Sequence, residues 1–382
     1  PHSQKEAPLE ESFVKSASER NETAIIVFAR TAGEDMDQKY EKGSFLLTDI
    51  EVENLNLIRK HFKKLVVLVN ACGVIDFSKI VAASPDALLM LWQGGMMGGL
   101  AAAKVLTGVV NPSGKLPSTI ATSREDYPAY ENFNAPYRLF YKEDIYVGYR
   151  YFNTFAADKI LYPFGYGLSY TEFGIFFIDI HRKEGKTYVQ AVVSNLGSVA
   201  GREVVQCYVY QPCGKLGKAR KVLAAFQKTP LLAPHESCTV NLEFSDYSIA
   251  SYDDSGVTGN KYCWVLEQGE YIITVGASSA DNTESCSFVV NQDEVVKRMR
   301  SALAPVTPFE RMVNKSGVKV FEPAPLRVSA EEPIPNEIPK IEKDGATLAD
   351  VASGKLTLEQ FVARLSDEDL ICMVRAEGMS SP

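Results

Sequence analysis

Three carboxylate side chains follow the first strongly apolar run of the chain. The run Thr23–Ala29 has the length of a buried strand, and Gly33-Glu34-Asp35-Met36-Asp37 comes directly after it. Ligands of open α/β sheets bind outside the carboxyl ends of the strands, and carboxyl groups often act as general acids or bases. A glycine-hinged acidic loop in this place is therefore a candidate acid/base site. Spacing alone favours a solvated acidic loop, so both interpretations stay open at this point.

Two other segments contain residue types that bind ligands. Asn111-Pro-Ser-Gly-Lys115 has the composition of a phosphate-binding loop, but it lacks the required glycine–lysine spacing and opens no helix, which favours a structural turn. The stretch Tyr137–Tyr170 is rich in tyrosine and phenylalanine. Because aromatic rings can stack on sugars and can also pack between domains, a carbohydrate platform and an interdomain seam both remain open.

The elements that would position the acidic loop are apolar runs separated by helical patterns. The continuous apolar runs are Thr23–Ala29, Leu65–Val69 and Ala87–Trp92. A helical pattern lies between the first two runs, with Thr48 as its N-cap and His61 near its end. Apolar runs without alternation predict parallel strands buried on both faces.

One apolar stretch, Ala87–Val110, approaches the length of a membrane span. It contains Gln93, Lys104 and the turn signal Gly94-Gly95, whereas a span needs about 20 mostly uninterrupted apolar residues. These interruptions favour a buried strand, a turn and a helix of small residues.

From about residue 174 the apolar pattern changes to a period of two. The predicted strands are 174–180, 188–193, 204–210, 238–244, 262–266, 271–275 and 286–290. Several short alternating strands separated by turns are typical of an antiparallel β-sandwich. We expect Trp264 to lie in its core.

Residues 296–382 show two further sequence patterns, the first proline-rich and the second helical. Residues 296–345 contain seven prolines among charged residues, which predicts an extended linker. Helical signals return in residues 346–382, where Thr357-Leu-Glu-Gln360 is a capping-box pattern and Ser366 opens another helix.

Charge and cysteine content narrow the class of protein. Forty basic and 48 acidic residues give a net charge of −8, which argues against nucleic-acid or membrane partners because both need a basic surface. Seven cysteines cannot all pair within the chain, and no signal peptide is visible in the given residues; a cytoplasmic location is therefore expected. The four histidines are scattered, so we expect no metal site. No Gly-x-Gly-x-x-Gly fingerprint precedes a helix, and we expect no cofactor.

Six segments, taken in their order along the chain, resemble one family. They are Ala32–Asp37, Leu89–Gly95, Val109–Pro117, Asp126–Pro128, Ile145–Tyr151 and Tyr162–Tyr170. Each is weak alone, but six in sequence are specific. Over residues 20–292 the chain is similar to the C-terminal half of glycoside hydrolase family three, which includes β-glucosidases and β-xylosidases.

The resemblance implies an α/β fold followed by an all-β one. It assigns residues 1–173 to an incomplete, mostly parallel α/β sandwich domain and residues 174–295 to a fibronectin type III-like β-sandwich. Residues 296–345 would be a proline-rich linker. Residues 346–382 resemble a helical lead-in to a (β/α)8 barrel, as in the permuted group of the family in which the barrel comes last.

The resemblance also implies a role for the acidic loop. In the family the general acid/base glutamate lies on a loop of Gly-Glu-Gly-x-Asp-Arg type, which places that role on Glu34. Here Asp35 replaces the usual glycine and Gln38 the usual arginine. An added carboxylate and a lost arginine both favour the protonated form of Glu34. The nucleophilic aspartate belongs to the barrel, so it would lie on the rest of the same protein or on a second chain.

The function implied is the acid/base-bearing portion of a retaining, exo-acting β-glycosidase. The expected activity is that of a β-glucosidase, which hydrolyses terminal non-reducing β-D-glucose residues from a glucoside or an oligosaccharide. A non-catalytic structural or carbohydrate-binding module derived from the family is the alternative hypothesis. Substrate-binding residues, glucoside or xyloside preference and assembly into a homo-oligomer stay open.

Overall fold

A computed structural model describes residues 6–30, 38–133, 135, 137–281, 283–301, 303–327 and 338–375. The chain divides into two compact units, Pro1–Leu326 and Arg327–Pro382.

The apolar runs and helical patterns of the first region form a mostly parallel α/β layer, as predicted. Strands β1, β2 and β3 pair in parallel in that order, with Ile26 opposite Val67 and Leu68 opposite Leu89. Strands β4 and β5 form an antiparallel pair. The elements of this region are α1 (Glu11–Arg20), β1 (Thr23–Ala29), α2 (Asp49–His61), β2 (Lys64–Asn70), α3 (Ser78–Ala82), β3 (Ala87–Met90), α4 (Gly98–Leu106), β4 (Ile120–Ala121), α5 (Tyr149–Phe155) and β5 (Ile160–Tyr162).

Strand β2 is covered on both faces, but β1 is covered on one. In β2, Val67 on one face is fully buried and Leu68 on the other face is 5% exposed. In β1, Phe28 is buried, whereas Ile25 and Val27 are 53% and 49% exposed. The prediction of strands buried on both faces is therefore right for β2 and wrong for β1. The reason is that side chains alternate along β1, and the described residues leave exposed the face that carries Ile25 and Val27.

The apolar stretch Ala87–Val110 folds as the strand, turn and helix that its interruptions predicted. It contains β3, a 3₁₀ turn at Gly95–Met97 and helix α4. None of the helices in the described ranges combines the length and apolar composition that a membrane span requires.

The period-two segments of the second region form two antiparallel sheets that pack face to face, which confirms the predicted β-sandwich. The sheet orders are β10-β7-β6 and β14-β13-β8-β9. Val193, Val205, Phe244 and Ile273 belong to the core that the two sheets share. The elements are β6 (Phe173–Lys183), β7 (Lys186–Asn195), β8 (Val204–Tyr210), β9 (Lys221–Lys228), β10 (Ser237–Ser245), α6 (Asp246–Ile249), β11 (Ser251–Asp253), β12 (Cys263–Leu266), β13 (Gly269–Gly276), β14 (Thr283–Val290) and β15 (Glu294–Arg298).

Trp264 lies outside this core, and its predicted placement was wrong. Strand β12 pairs with β11 and β15 in a separate sheet. There the Trp264 ring packs against Tyr247 and Tyr252, with ring centroids 4.9 and 5.5 Å apart. The seventh strand of the sandwich is instead β9, whose sequence Lys-Val-Leu-Ala-Ala-Phe-Gln-Lys does not alternate.

The predicted linker 296–345 contains folded structure, and for part of its length the prediction was wrong. Strands β16 (Glu310–Lys315) and β17 (Val318–Pro323) form an antiparallel hairpin. Ser316 and Gly317 both have positive φ, as a tight two-residue hairpin turn requires. The Arg311 guanidinium pairs with the carboxylates of Asp144 and Asp254, which ties the hairpin to the first unit's core. Pro323 is the last residue of β17 and the other prolines lie outside the hairpin, so they do not interrupt its pairing, and proline content alone did not predict it.

The described part of the second unit, residues 338–375, contains three short capped helices, α7 (Leu348–Ala352), α8 (Leu358–Val362) and α9 (Asp367–Val374). The capping box predicted at Thr357 is confirmed, because Gln360 N–H donates to Thr357 Oγ1 and Thr357 N–H donates to Gln360 Oε1. Ser366 caps α9 in the same way with Asp369.

All seven cysteines are free thiols. Burial raises the pKa of the Cys207 thiol to about 12, so this side chain stays protonated and packs as a small apolar group. The cytoplasmic location expected from the cysteine count stays a prediction.

Part of the aromatic stretch Tyr137–Tyr170 forms a seam between the α/β layer and the sandwich, with half-buried rings. The Tyr149 ring packs against Phe164 and edge-on against Tyr208 of β8, with centroids 4.8 and 5.9 Å apart. The Tyr149 hydroxyl accepts the backbone N–H of Leu223 in β9 at 2.8 Å. The seam interpretation therefore describes these half-buried rings. Tyr137, by contrast, is 96% exposed.

Replacing Gly165 in this seam with alanine is expected to destabilise the protein by more than about 2 kcal/mol. Gly165 has a φ of +79°, and an added Cβ would lie 2.0 Å from Oε1 of the buried Gln206. The Gln206 amide also donates to the Gly165 carbonyl at 3.1 Å, so it cannot move without losing that bond. Urea unfolding of the complete protein measures the loss.

The matched control for this variant is Gly99→Ala. An added Cβ at Gly99 meets nothing within 4 Å, and alanine in a helix is favoured over glycine by up to about 1 kcal/mol. Equal unfolding midpoints for the two variants would show that the seam does not depend on a close approach at Gly165.

Candidate active site at the carboxyl edge of the parallel sheet

The loop that carries Glu34 leaves the sheet at the carboxyl end of β1. Residues 31–37, and with them Glu34, lie outside the described residues. Both ends of the loop are described: Arg30 follows β1 directly, and Gln38 begins the return. Ligands of open α/β sheets bind at this edge.

Arg30 joins the two ends of this loop. Its guanidinium donates to both carboxylate oxygens of Glu51, at 2.7 and 2.9 Å. It also donates to the backbone carbonyls of Ser44 at 2.8 Å and Leu46 at 3.3 Å, on the returning chain. Arg30 and Glu51 are both buried. A planar guanidinium can serve a carboxylate and several carbonyls at once, so this one side chain holds the start and the return of the loop together.

Glu51, the partner of Arg30, also binds the N-terminus of helix α2. It is the N3 residue of a capping box, in which Thr48 N–H donates to Glu51 Oε2 at 2.7 Å and Glu51 N–H donates to Thr48 Oγ1 at 3.1 Å. The N-cap predicted at Thr48 is thereby confirmed. The carboxylate of Glu51 consequently anchors both the guanidinium of Arg30 and the helix N-terminus.

The return of the loop is held by aromatic contacts. The guanidinium carbon of Arg124 lies 4.5 Å from the ring centroid of Tyr40 and 4.9 Å from that of Tyr130. Such cation–π contacts contribute about 0.5–1 kcal/mol at exposed sites and more when desolvated. Gln38 packs near Gly73, and its buried Nε2 has no hydrogen-bond partner in the described structure.

A cleft of about 640 Å³ opens beside the loop return; we refer to it as the aromatic cleft. Its volume falls in the range of roughly 300–1,000 Å³ typical of small-molecule sites. Polar groups enter it from Gln38, Thr119, Arg124 and Arg150. Its ring-bearing walls include Tyr40, Phe45, Tyr127, Tyr130, Phe133 and Phe164.

One wall of the aromatic cleft is fixed by hydrogen bonds. The Tyr127 hydroxyl donates to the Thr119 carbonyl at 3.3 Å and accepts the N–H of Ala121 at 3.1 Å. Burial raises the pKa of Tyr127, which keeps this hydroxyl protonated. Thr119 is 2% exposed, and its Oγ1 has no partner among the described residues.

Comparison with known proteins matches the two folded regions to one family. Residues 6–170 match the glycosyl hydrolase family 3 C-terminal domain, and residues 203–279 match a fibronectin type III-like domain. The chain contains the C-terminal domain of glycosyl hydrolase family 3. The matched residues contain the parallel sheet, both described ends of the Glu34 loop and the aromatic cleft.

Relatives of this chain include proteins named as β-glucosidases. A beta-glucosidase from Ruminococcus albus is 46% identical over 100% of this chain and 41% of its own length. Beta-glucosidase A from Butyrivibrio fibrisolvens is 34% identical over 97% of this chain and 53% of its own length. The chain therefore spans about half, or less, of the length of these curated relatives.

Solved structures of beta-glucosidases share the fold of this chain. A beta-glucosidase from Paenibacillus barengoltzii superposes on 99% of this chain with a TM-score of 0.89 and 44% identity, over 43% of that protein. Beta-glucosidase 3B from Thermotoga neapolitana in complex with glucose gives a TM-score of 0.70 over 75% of this chain and 40% of its own, at 37% identity.

Asn111 and Lys115 have structural roles in this chain, as the predicted turn requires. Lys115 Nζ lies 2.7 Å from the Glu203 carboxylate and donates to the Gly167 carbonyl at 2.9 Å. Asn111 Oδ1 accepts the N–H of Tyr170 at 2.8 Å. These contacts occupy the groups that a phosphate would need.

Sequence reasoning did not find Arg30, Glu51 or Arg124 as residues of the site. Arg30 did carry a signal, because an arginine directly after a buried strand needs a carboxylate partner. Arg124 sits in the turn between β4 and the aromatic stretch and follows no recognisable motif.

Proposed function

We propose that this chain is the acid/base-bearing portion of a retaining, exo-acting β-glucosidase that removes terminal non-reducing β-D-glucose. The observation that carries the proposal is the alignment of the whole chain with a named beta-glucosidase at 46% identity. The near-complete superposition on the Paenibacillus barengoltzii beta-glucosidase supports it.

In this proposal Glu34 is the general acid and base. As an acid it protonates the departing glycosidic oxygen while a second carboxylate attacks the anomeric carbon. As a base it then takes a proton from the water that releases glucose, so configuration is retained. The second carboxylate belongs to a (β/α)8 barrel, on the rest of the same protein or on a second chain.

The buried pair Arg30–Glu51 supports this role by fixing where the loop leaves and rejoins the fold. A catalytic acid must be held within about an ångström of its productive position, because small displacements cost large factors in rate. Arg30 lies at the start of the loop that carries Glu34, and its guanidinium binds both Glu51 and the Ser44 carbonyl on the returning chain. It therefore restricts the loop without using the catalytic carboxyl itself.

The complete protein is expected to hydrolyse para-nitrophenyl β-D-glucoside and to release β-glucose first. Proton NMR during the first turnovers distinguishes β-glucose from α-glucose before mutarotation mixes them. This chain by itself is expected to release no nitrophenol, because the proposal places the nucleophile elsewhere. The xyloside with the same leaving group serves as the specificity control.

Two results would contradict the proposal. First release of α-glucose would exclude a retaining mechanism. Binding of β-glucosides by the complete protein without any hydrolysis would favour a carbohydrate-binding module instead.

A further inference from the structure

The aromatic cleft contains polar groups that have no hydrogen-bond partner among the described residues. Arg124 makes cation–π contacts but no hydrogen bond or ion pair within the described structure. The Nε2 of Gln38 and the Oγ1 of Thr119 also lack hydrogen-bond partners there, and Thr119 is only 2% exposed. Buried polar groups are normally paired, so the Gln38 and Thr119 atoms are exceptions. Arg124 is half-buried, and its N–H groups are open to a ligand that supplies acceptors.

The orientation of Arg124 leaves its hydrogen-bonding edge available. Tyr40 and Tyr130 lie over the guanidinium, at 4.5 and 4.9 Å from its carbon. Ring contacts use the faces of a guanidinium, whereas its N–H groups point outward in its plane. The two tyrosines thus hold Arg124 in place while its donors stay free for a planar, bidentate acceptor.

The charge around the aromatic cleft favours an anion. The chain has a net charge of −8, yet none of the described residues that line this cleft is acidic, and Arg150 lines it together with Arg124. A carboxylate entering the cleft would therefore meet Arg124 and Arg150, although the charge of Arg124 also acts on the exposed carboxylate of the neighbouring Glu125.

The walls favour an aromatic ring beside that anion. Phe133 is 47% exposed and Tyr130 is 36% exposed, so both present ring surface to a ligand. Offset or edge-on packing of an aromatic ligand on such rings contributes about 0.5–1.5 kcal/mol beyond area burial. A neutral sugar would use the rings but would not need two arginines.

The aromatic cleft is also close enough to the proposed acid to hold part of the substrate. Gln38, on its wall, comes four residues after Glu34. Four residues span at most about 14 Å when fully extended. The part of a glucoside nearest the acid, apart from the glucose, is its leaving group.

We propose that the aromatic cleft binds the leaving group of the substrate and favours an aromatic leaving group that bears a carboxylate. The proposal rests on the β-glucosidase activity proposed above. Arg124 pairs with the carboxylate, and the surrounding rings pack against the aromatic ring.

The test compares two β-D-glucosides whose leaving groups have nearly the same shape, para-carboxyphenyl and neutral para-carbamoylphenyl. Arg124→Met is expected to lower kcat/KM for the carboxylate about tenfold more than for the carboxamide, the size expected for losing a charge-assisted hydrogen-bonded pair. The ratio between the substrates isolates this effect, because any misfolded fraction lowers both rates equally. Arg138→Met, an exposed arginine that does not line the cleft, is the control and keeps the wild-type ratio.

An unchanged ratio in Arg124→Met would overturn the proposal. If the complete protein hydrolyses neither glucoside, the proposed activity fails, and calorimetry with free para-hydroxybenzoate then tests the cleft by itself. Binding that is lost in Arg124→Met would support an aromatic-acid site, and no binding to the wild-type protein would overturn it.

Discussion

Replacing Glu34 with glutamine in the complete enzyme is expected to lower kcat/KM for β-glucosides with poor leaving groups by roughly 10²- to 10⁴-fold. Glutamine has nearly the same shape as glutamate but carries no acidic proton, so it cannot protonate the departing oxygen. A dinitrophenyl leaving group departs as a stable anion and needs little protonation. The kcat/KM for the dinitrophenyl β-glucoside should therefore fall much less than that for substrates with poor leaving groups. Steady-state kinetics with alkyl and dinitrophenyl β-glucosides give the comparison.

Azide separates loss of the acid/base from general damage. Glu34→Ala leaves room for a small anion, and azide should restore turnover of the dinitrophenyl glucoside with β-glucosyl azide as the product. Asp35→Asn, the neighbouring carboxylate, is the control and should show no dependence on azide. Wild-type rates in Glu34→Gln, or rescue by azide in the Asp35 variant instead, would remove Glu34 from the role.

Arg30→Met is expected to reduce both stability and turnover strongly. It removes the bidentate pair with Glu51 and the bonds to the carbonyls of Ser44 and Leu46. Removing one partner of a buried ion pair costs about 3–5 kcal/mol, because the other charge stays buried without compensation. Since the same bonds join the two ends of the Glu34 loop, kcat should fall by roughly tenfold or more, as for other misplaced catalytic groups.

A double variant distinguishes a positioning role from a purely structural one. Arg30→Met combined with Glu51→Gln leaves no buried unpaired charge, and glutamine still serves as the N3 residue of the α2 capping box. We expect urea unfolding to show most of the stability restored while kcat stays low, because the carbonyls of Ser44 and Leu46 still lack their donor. Recovery of both quantities together would contradict the positioning role.

The control for this pair is the surface ion pair Arg59–Asp86, at 2.8 Å with both side chains partly exposed. Arg59→Met should cost no more than about 1 kcal/mol, the usual value of an exposed pair. A loss as large as that of Arg30→Met would show that burial does not govern the effect.

Local patterns predicted the elements of this fold well where one physical cause dominates. The run Thr23–Ala29 matches strand β1 residue for residue, because a strand of β-branched and apolar side chains needs no distant partner to be recognised. The N-cap at Thr48 and the capping box at Thr357 follow from side-chain bonds that span three residues. The prediction failed where neighbours in space decide, as for Trp264 and for strand β9.

The hairpin of Glu310–Lys315 and Val318–Pro323 was also missed because contacts distant in sequence stabilise it. Proline content predicted an extended chain, and proline-rich chain alone has too little apolar surface to fold. Burial of Met312 and the ion pairs of Arg311 with Asp144 and Asp254 provide the missing stabilisation from elsewhere in the fold.

The sequence by itself determined the two folded regions, the family and Glu34 as the candidate acid, because these depend on local periodicity and on motifs in a set order. Only the tertiary structure decided what surrounds the loop that carries Glu34. Arg30 meets Glu51 across 21 positions of sequence, and Arg124 meets Tyr40 from a distant turn. Such pairings are set by the packing of the whole sheet and its connections, and no local pattern of residue types records them.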